Sequence, residues 1–186
     1  MTDLTTERLV LREFEPADWR AVQEYASDPE VVRYVTWGPN TVEETREFLK
    51  RTEDARHREP RRKYSLAVTL RRTGGLLGAC GLYISRPQDL GGHIGYVLRR
   101  DAWGRGYATE AASRLLQFGF GELGLHRVFA TCDVENRASA HVMEKLGMRR
   151  EGRFREDVRN RGQWRDTYLY AILEGEWRCT TLTTSC

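Results

Sequence analysis

The residues best placed for chemistry lie between Tyr96 and Ala112, where an apolar run ends, a polar loop with two glycines follows and an amphipathic helix begins. Gly104 and Gly106 lack the Cβ atoms that would hold a ligand away from the backbone, and they admit positive φ. The helix opening near Tyr107 points its free N–H groups and the positive end of its dipole at whatever fills the loop. Arg105 adds a charge between the glycines. Together these features make an anion cradle, and diphosphate is the commonest guest of such a junction. A nucleotide-binding βαβ unit would use the same loop, with Asp133 on the ribose. Its third small residue falls on Ala108 instead of Thr109, however, and Asp133 lies beyond the expected spacing of about 20 residues. A P-loop is excluded, since no Lys-Ser/Thr pair follows the glycines.

Other chemistry is sparse. Cys80, Cys132, Cys179 and Cys186 form no CxxC pair, and no cluster of His and carboxylates has metal-ligand spacing, so no metal is expected. Cys80 and Cys132 sit in apolar runs as small buried hydrophobes, and His126 and His141 read as structural. The 186 residues fit one domain, assigned to 1–177, followed by a frayed polar tail at 178–186. The formal charge of +3 is mild and its arginines are scattered, which argues against nucleic acid as a partner. No apolar run reaches membrane length and no signal segment opens the chain, so a reduced, cytoplasmic setting is the expectation.

The elements around the cradle follow from apolar periodicity. Glu7–Phe14 alternates as a strand, and Pro16 opens a helix through Ser27 with Trp19, Val22 and Tyr25 on one side. Thr41-Val42-Glu43-Glu44 is a capping box for a second helix reaching His57, with Phe48 and Leu49 inward. Lys63–Leu70, Leu76–Ile84 (interrupted by Gly78 and Gly81) and His93–Leu98 form an antiparallel meander. The cradle helix carries Ala108, Ala111, Ala112, Leu115 and Leu116 on its core stripe, pairs Glu110 with Arg114 outside, and ends at Gly124. Arg127–Val134 is again a strand, and the right-handed crossover makes it parallel to His93–Leu98. Asn136 caps a short helix with Val142, Met143 and Leu146 inward, which Gly147 ends. Met148–Arg159 and Gln163–Leu173 close the chain as a hairpin.

In that order and spacing, several motifs resemble the GNAT superfamily of acetyl-CoA-dependent N-acetyltransferases, and within it the RimJ/RimL-type branch. They are Thr6-Glu7-Arg8-Leu9-Val10-Leu11-Arg12, Asp28-Pro29-Glu30-Val31, Ile94-Gly95-Tyr96, Trp103 to Ala111, Asn136 to Ser139, Glu144 to Met148, Glu151-Gly152 and Glu176-Trp177. The resemblance covers nearly the whole chain. It implies an α/β (α+β) fold with a central mixed, mostly antiparallel sheet of about seven strands, one splayed parallel pair and about four flanking helices. It also implies a monomer or homodimer. The superfamily's diphosphate signature falls on Trp103, Gly106 and Ala108, with Trp in place of Gln/Arg, as is usual in this branch.

The resemblance further implies that the amides of Arg105, Gly106, Tyr107, Ala108 and Thr109, beside Gly104, hold the diphosphate of acetyl-CoA. The backbone of Val97 and Leu98 would pair with the pantetheine arm, which Asn136 also contacts. Many members protonate the leaving thiolate from a Tyr that corresponds to Met143 here. The RimJ/RimL branch has Ser at position 139, so Ser139 takes both a cofactor contact and the acid role. Direct attack by an amine also needs a base, for which Glu135, Asp133, His93, Tyr96 and Glu151 are open candidates. The acceptor, a protein N-terminus or a small-molecule amine, would enter between the first two helices and the closing hairpin, near Tyr34, Trp37 and residues 154–164. With Met143 in place of Tyr, a binding module without turnover is the non-enzyme alternative.

Overall fold

Apolar residues on both faces of the central strands force helices onto both sides of the sheet. A computed structural model describes residues 3–177; the frayed tail expected at 178–186 lies outside them. The elements are β1 (Leu4–Thr5), β2 (Leu9–Glu13), α1 (Trp19–Ala26), α2 (Val42–Arg56), β3 (Lys63–Leu70), β4 (Leu76–Arg86), β5 (Gly91–Leu98), α3 (Tyr107–Gly121), β6 (Arg127–Asp133), α4 (Arg137–Lys145), β7 (Arg149–Asn160) and β8 (Gln163–Leu173). One sheet runs β1-β2-β3-β4-β5-β6-β8-β7. Every neighbouring pair is antiparallel except β5 and β6.

The expected architecture is therefore present, with one strand more than the seven expected. The extra strand, β1, is two residues long and pairs with β2, while residues 6–8 turn instead of extending β2 to Glu7. Pro16–Asp18 forms a single 3₁₀ turn, so the first α-helix starts at Trp19. The cradle helix stops at Gly121, short of Gly124. β4 runs unbroken through both of its glycines, with a bulge near Gly78. A Cβ on Gly78 would sit 2.1 Å from the Val97 carbonyl oxygen, so glycine there lets β4 lie against the end of β5.

Two cores flank the sheet. α1 and α2 bury Val22, Tyr25 and Leu49 against Ala67 and Leu76, with Ala79 and Val97 alongside. On the other side α3 and α4 bury Ala111, Ala112, Leu115, Leu116 and Met143 against Leu66, Leu82 and Ile94. The β5–α3–β6 crossover gives the parallel pair, which holds register only at Gly91–Arg127, Gly92–Val128 and His93–Phe129. Beyond His93 the two strands part, because β6 keeps its full pairing with β8 while β5 stays with β4. The fork opens toward Leu98 and Asp133.

Candidate active site

The cradle begins where β5 ends. A 3₁₀ turn at Arg100–Ala102 lets the Trp103 indole Nε1 donate to the Leu98 carbonyl at 2.7 Å, fastening the loop to the strand's last residue. Gly104 and Gly106 both take positive φ (71° and 78°), and Gly106 is the residue before α3, so the residue at the helix start adds no side chain of its own; the nearest group to its missing Cβ is the Arg8 guanidinium. Asn136 caps α4 by accepting from the Ser139 N–H at 3.1 Å.

The cradle is braced from the N-terminus, which the sequence did not reveal. Glu110, in the first turn of α3, accepts from Thr6 Oγ1 at 2.6 Å, the Arg8 N–H at 2.9 Å and Arg8 Nε at 2.6 Å. Arg8 also donates to the Arg105 carbonyl at 3.0 Å and lies 4.6 Å from the centre of the Tyr107 ring. The expected Glu110–Arg114 pair is thus replaced: Glu110 turns to residues 6–8, and Arg114 reaches Glu122 at 3.5 Å. Burial alone would raise the Glu110 carboxyl's pKa; the hydrogen bonds from Thr6 and Arg8 outweigh it and hold the pKa below its ordinary value.

Across the fork, the Tyr96 hydroxyl of β5 lies 3.0 Å from Ser139 Oγ and 3.1 Å from the Ser139 carbonyl. A strand and a helix from opposite arms thereby meet at the residue assigned to the leaving thiolate. Met143, one turn further along α4, is fully buried and supplies no donor. Val97 and Leu98 lie in register with Ala79 and Gly78 of β4 on one side and with no strand on the other.

The candidate bases separate by position. Glu151 is ion-paired with Arg127 at the closed end of the fork, away from the opening. Asp133 is buried and accepts from Arg165 at 2.8 and 3.2 Å; Glu135 pairs with the same guanidinium. Burial raises the Tyr96 phenol's pKa, and its hydroxyl is committed to Ser139. His93 stands at the last paired step, its ring 6.1 Å from Tyr83 and 5.1 Å from Phe129, and burial lowers its pKa. That burial favours the neutral imidazole, the form a base requires. Among the described residues no group of His, Cys, Asp or Glu is arranged to hold a metal.

The two segments expected to admit the acceptor do meet. At the β7–β8 tip, Arg161 takes positive φ (47°) before Gly162, and its guanidinium donates to the carbonyls of Val32, Arg33 and Gly38. Asn160 also bonds to the Arg33 carbonyl. The hairpin is therefore clasped to the α1–α2 loop, and large apolar side chains on the two segments, Trp37, Phe154 and Trp164, remain exposed.

Comparison with known proteins bears on the family and the fold. A family model described as an acetyltransferase (GNAT) domain matches residues 8–149. The uncharacterized N-acetyltransferase YnaD of Bacillus subtilis is 42% identical over 94% of this chain and 98% of its own. The uncharacterized N-acetyltransferase p20 of Bacillus licheniformis is 33% identical over 95% and 99%. A crystal structure of a GNAT-family acetyltransferase from Bacillus anthracis superposes with a TM-score of 0.84 at 38% identity, covering 94% of this chain and 99% of that one.

Proposed function

The chain belongs to the GNAT acetyltransferase family and is an acyltransferase, and on that premise we propose that it carries acetyl from acetyl-CoA to a primary amine by direct attack, with a protein or peptide N-terminus, as in the RimJ/RimL branch, as the acceptor. One observation carries this reading: the glycine cradle, the free edge of β5 and the Tyr96–Ser139 contact all converge on a single fork. A diphosphate suits the cradle because the amides and helix dipole face it across two glycines, with the Arg8 guanidinium as a cation beside Gly106. The pantetheine amides would add along the edge of β5 as an extra strand, with Asn136 and Ser139 on the far wall. That course brings the thioester between β5 and α4.

In the reaction the amine's lone pair attacks the acetyl carbon, and collapse of the tetrahedral adduct breaks the C–S bond with the electron pair on sulfur. Ser139 is the donor facing that sulfur. On the other side of the sheet His93 takes the proton lost by the amine. The exposed aromatics on the clasped hairpin and loop suit a peptide end. The spermidine N(1)-acetyltransferase of Escherichia coli, 28% identical over 44% of this chain, keeps a polyamine as the alternative. Thiol release from acetyl-CoA, followed across N-terminal peptides, polyamines and aminoglycosides, tests both. Turnover with peptides and not polyamines is expected; tight acetyl-CoA binding with no turnover on any amine would refute the transferase reading. Gly106→Val should abolish acetyl-CoA binding by filling the cradle, and normal binding would place the cofactor elsewhere.

A further inference from the structure

A serine hydroxyl alone is a weak stabiliser of a thiolate, because it rotates freely and spends its proton on any nearby acceptor. Ser139 sits in the first turn of α4, where serine hydroxyls readily turn back to the local backbone. The structure provides a second hydroxyl against it. Tyr96 reaches Ser139 from the opposite arm of the fork, at 3.0 Å to Oγ and 3.1 Å to the carbonyl oxygen. That carbonyl has two lone pairs, so it can accept from the phenol as well as from the Met143 N–H of the i→i+4 pattern, whereas between the two hydroxyls either oxygen can be the donor. A phenol has one proton. Directed at Ser139 Oγ, it leaves the serine's own proton free to point at the sulfur.

We propose that Tyr96 is a positioning residue for acetyl transfer: its hydroxyl donates to Ser139 Oγ and so aims the Ser139 O–H at the departing CoA sulfur. This replaces, from β5, the donor that Met143 cannot provide on α4. Every bond is accounted for. The C–S bond breaks with its electrons on sulfur, and the Ser139 O–H hydrogen-bonds to that thiolate. The amine's proton leaves on the base side, and the thiolate takes a proton from water as CoA departs. Tyr96 keeps its own proton throughout, and the burial that raises its pKa keeps it a donor at working pH. The inference rests on the reading of Ser139 above and adds a residue to it.

A double-mutant cycle of Tyr96→Phe and Ser139→Ala tests it, using acetyl-CoA and the fastest amine of the panel. Phe keeps the ring and its packing and removes only the hydroxyl. The expected result for Tyr96→Phe is a roughly tenfold lower kcat with the acetyl-CoA KM within about twofold, a share of the two to three decades that one charge-stabilising donor typically supplies. In the Ser139→Ala background the same change should have no further effect, because both residues act through one hydroxyl. A second readout needs no acceptor: the thiolate's ultraviolet absorbance reports the pKa of bound CoA. That pKa should be lowest in the wild type and higher in both variants, since donors to the charged form depress it. Unchanged kcat in Tyr96→Phe with a slow Ser139→Ala would overturn the role of Tyr96 and leave Ser139 standing. Normal rates in both would overturn Ser139 as well. Multiplicative losses in the double variant, or a bound-thiol pKa that Tyr96→Phe does not move, would reduce Tyr96 to packing.

Discussion

Replacing Glu110 by Ala should loosen the cradle without touching the ligand. The carboxylate accepts three hydrogen bonds, from the Thr6 hydroxyl, the Arg8 amide and the Arg8 guanidinium. Bonds to a charged acceptor are worth about 1.5–3 kcal/mol each at most. The Arg8 side chain is 44% exposed and Glu110's is 17%, so the ion pair itself contributes no more than about 1 kcal/mol. Water can replace part of what the Arg8 amide loses, which brings the expected cost to about 2–3 kcal/mol. At about 2–4 °C per kcal/mol for a chain of this size, Tm should fall by roughly 5–10 °C. With Arg8 no longer held against the Arg105 carbonyl, acetyl-CoA should bind about tenfold more weakly in a calorimetric titration, equivalent to about 1.4 kcal/mol. The pH dependence has a fixed sign. The folded-state pKa of Glu110 lies below its ordinary value of 4.5, so its contribution is complete above that pH and is lost as pH falls through the lower folded value. The wild-type advantage over Glu110→Ala should therefore vanish in acid. A variant that melts within about 1 °C of wild type, or losses that simply add to those of Arg8→Ala, would refute the brace.

Gly78→Ala should destabilise the chain and weaken acetyl-CoA binding together, because the new methyl would lie 2.1 Å from the Val97 carbonyl and push the end of β5 aside; an unchanged melt would show that β4 can yield there. For His93, burial opposes the imidazolium, so kcat/KM should fall with decreasing pH only below the ordinary histidine value of 6.5. His93→Gln should lower the rate and remove that acid limb. A limb that survives the substitution would place the base elsewhere.

Local signals made most of the fold legible. The apolar alternation of β3, the capping box at Thr41 and the glycines before α3 state their own conformations, and the crossover rule then fixes β5 and β6 as parallel. The backbone of the glycine loop was legible for the same reason, since its turn and helix start are set within a few consecutive residues. What stayed hidden depends on pairs far apart in the chain. Thr6 and Arg8 find Glu110 across more than a hundred residues, and nothing near Glu110 distinguishes it from an acidic residue that merely complements the helix dipole. The Arg161 clasp was invisible because backbone carbonyls at Val32, Arg33 and Gly38 have no sequence signature. β1 is too short to show any periodicity.

The fork also explains how one strand can serve both halves of the chemistry. Side chains alternate across a strand, so residues three apart point to opposite faces. Tyr96 packs with the α3–α4 core and meets Ser139, whereas His93 stacks between Tyr83 and Phe129, away from that core. If Ser139 and His93 carry the proposed roles, the donor that Tyr96 aims and the base are held on opposite sides of the sheet. They are kept apart by rigid backbone, so neither can neutralise the other. The gap beside Val97 and Leu98, where the proposed course sets the thioester against α4, exists only because the parallel pairing stops at His93–Phe129. Had β6 stayed in register to Asp133, the sheet would be continuous there and the edge of β5 at Val97 and Leu98 would be covered.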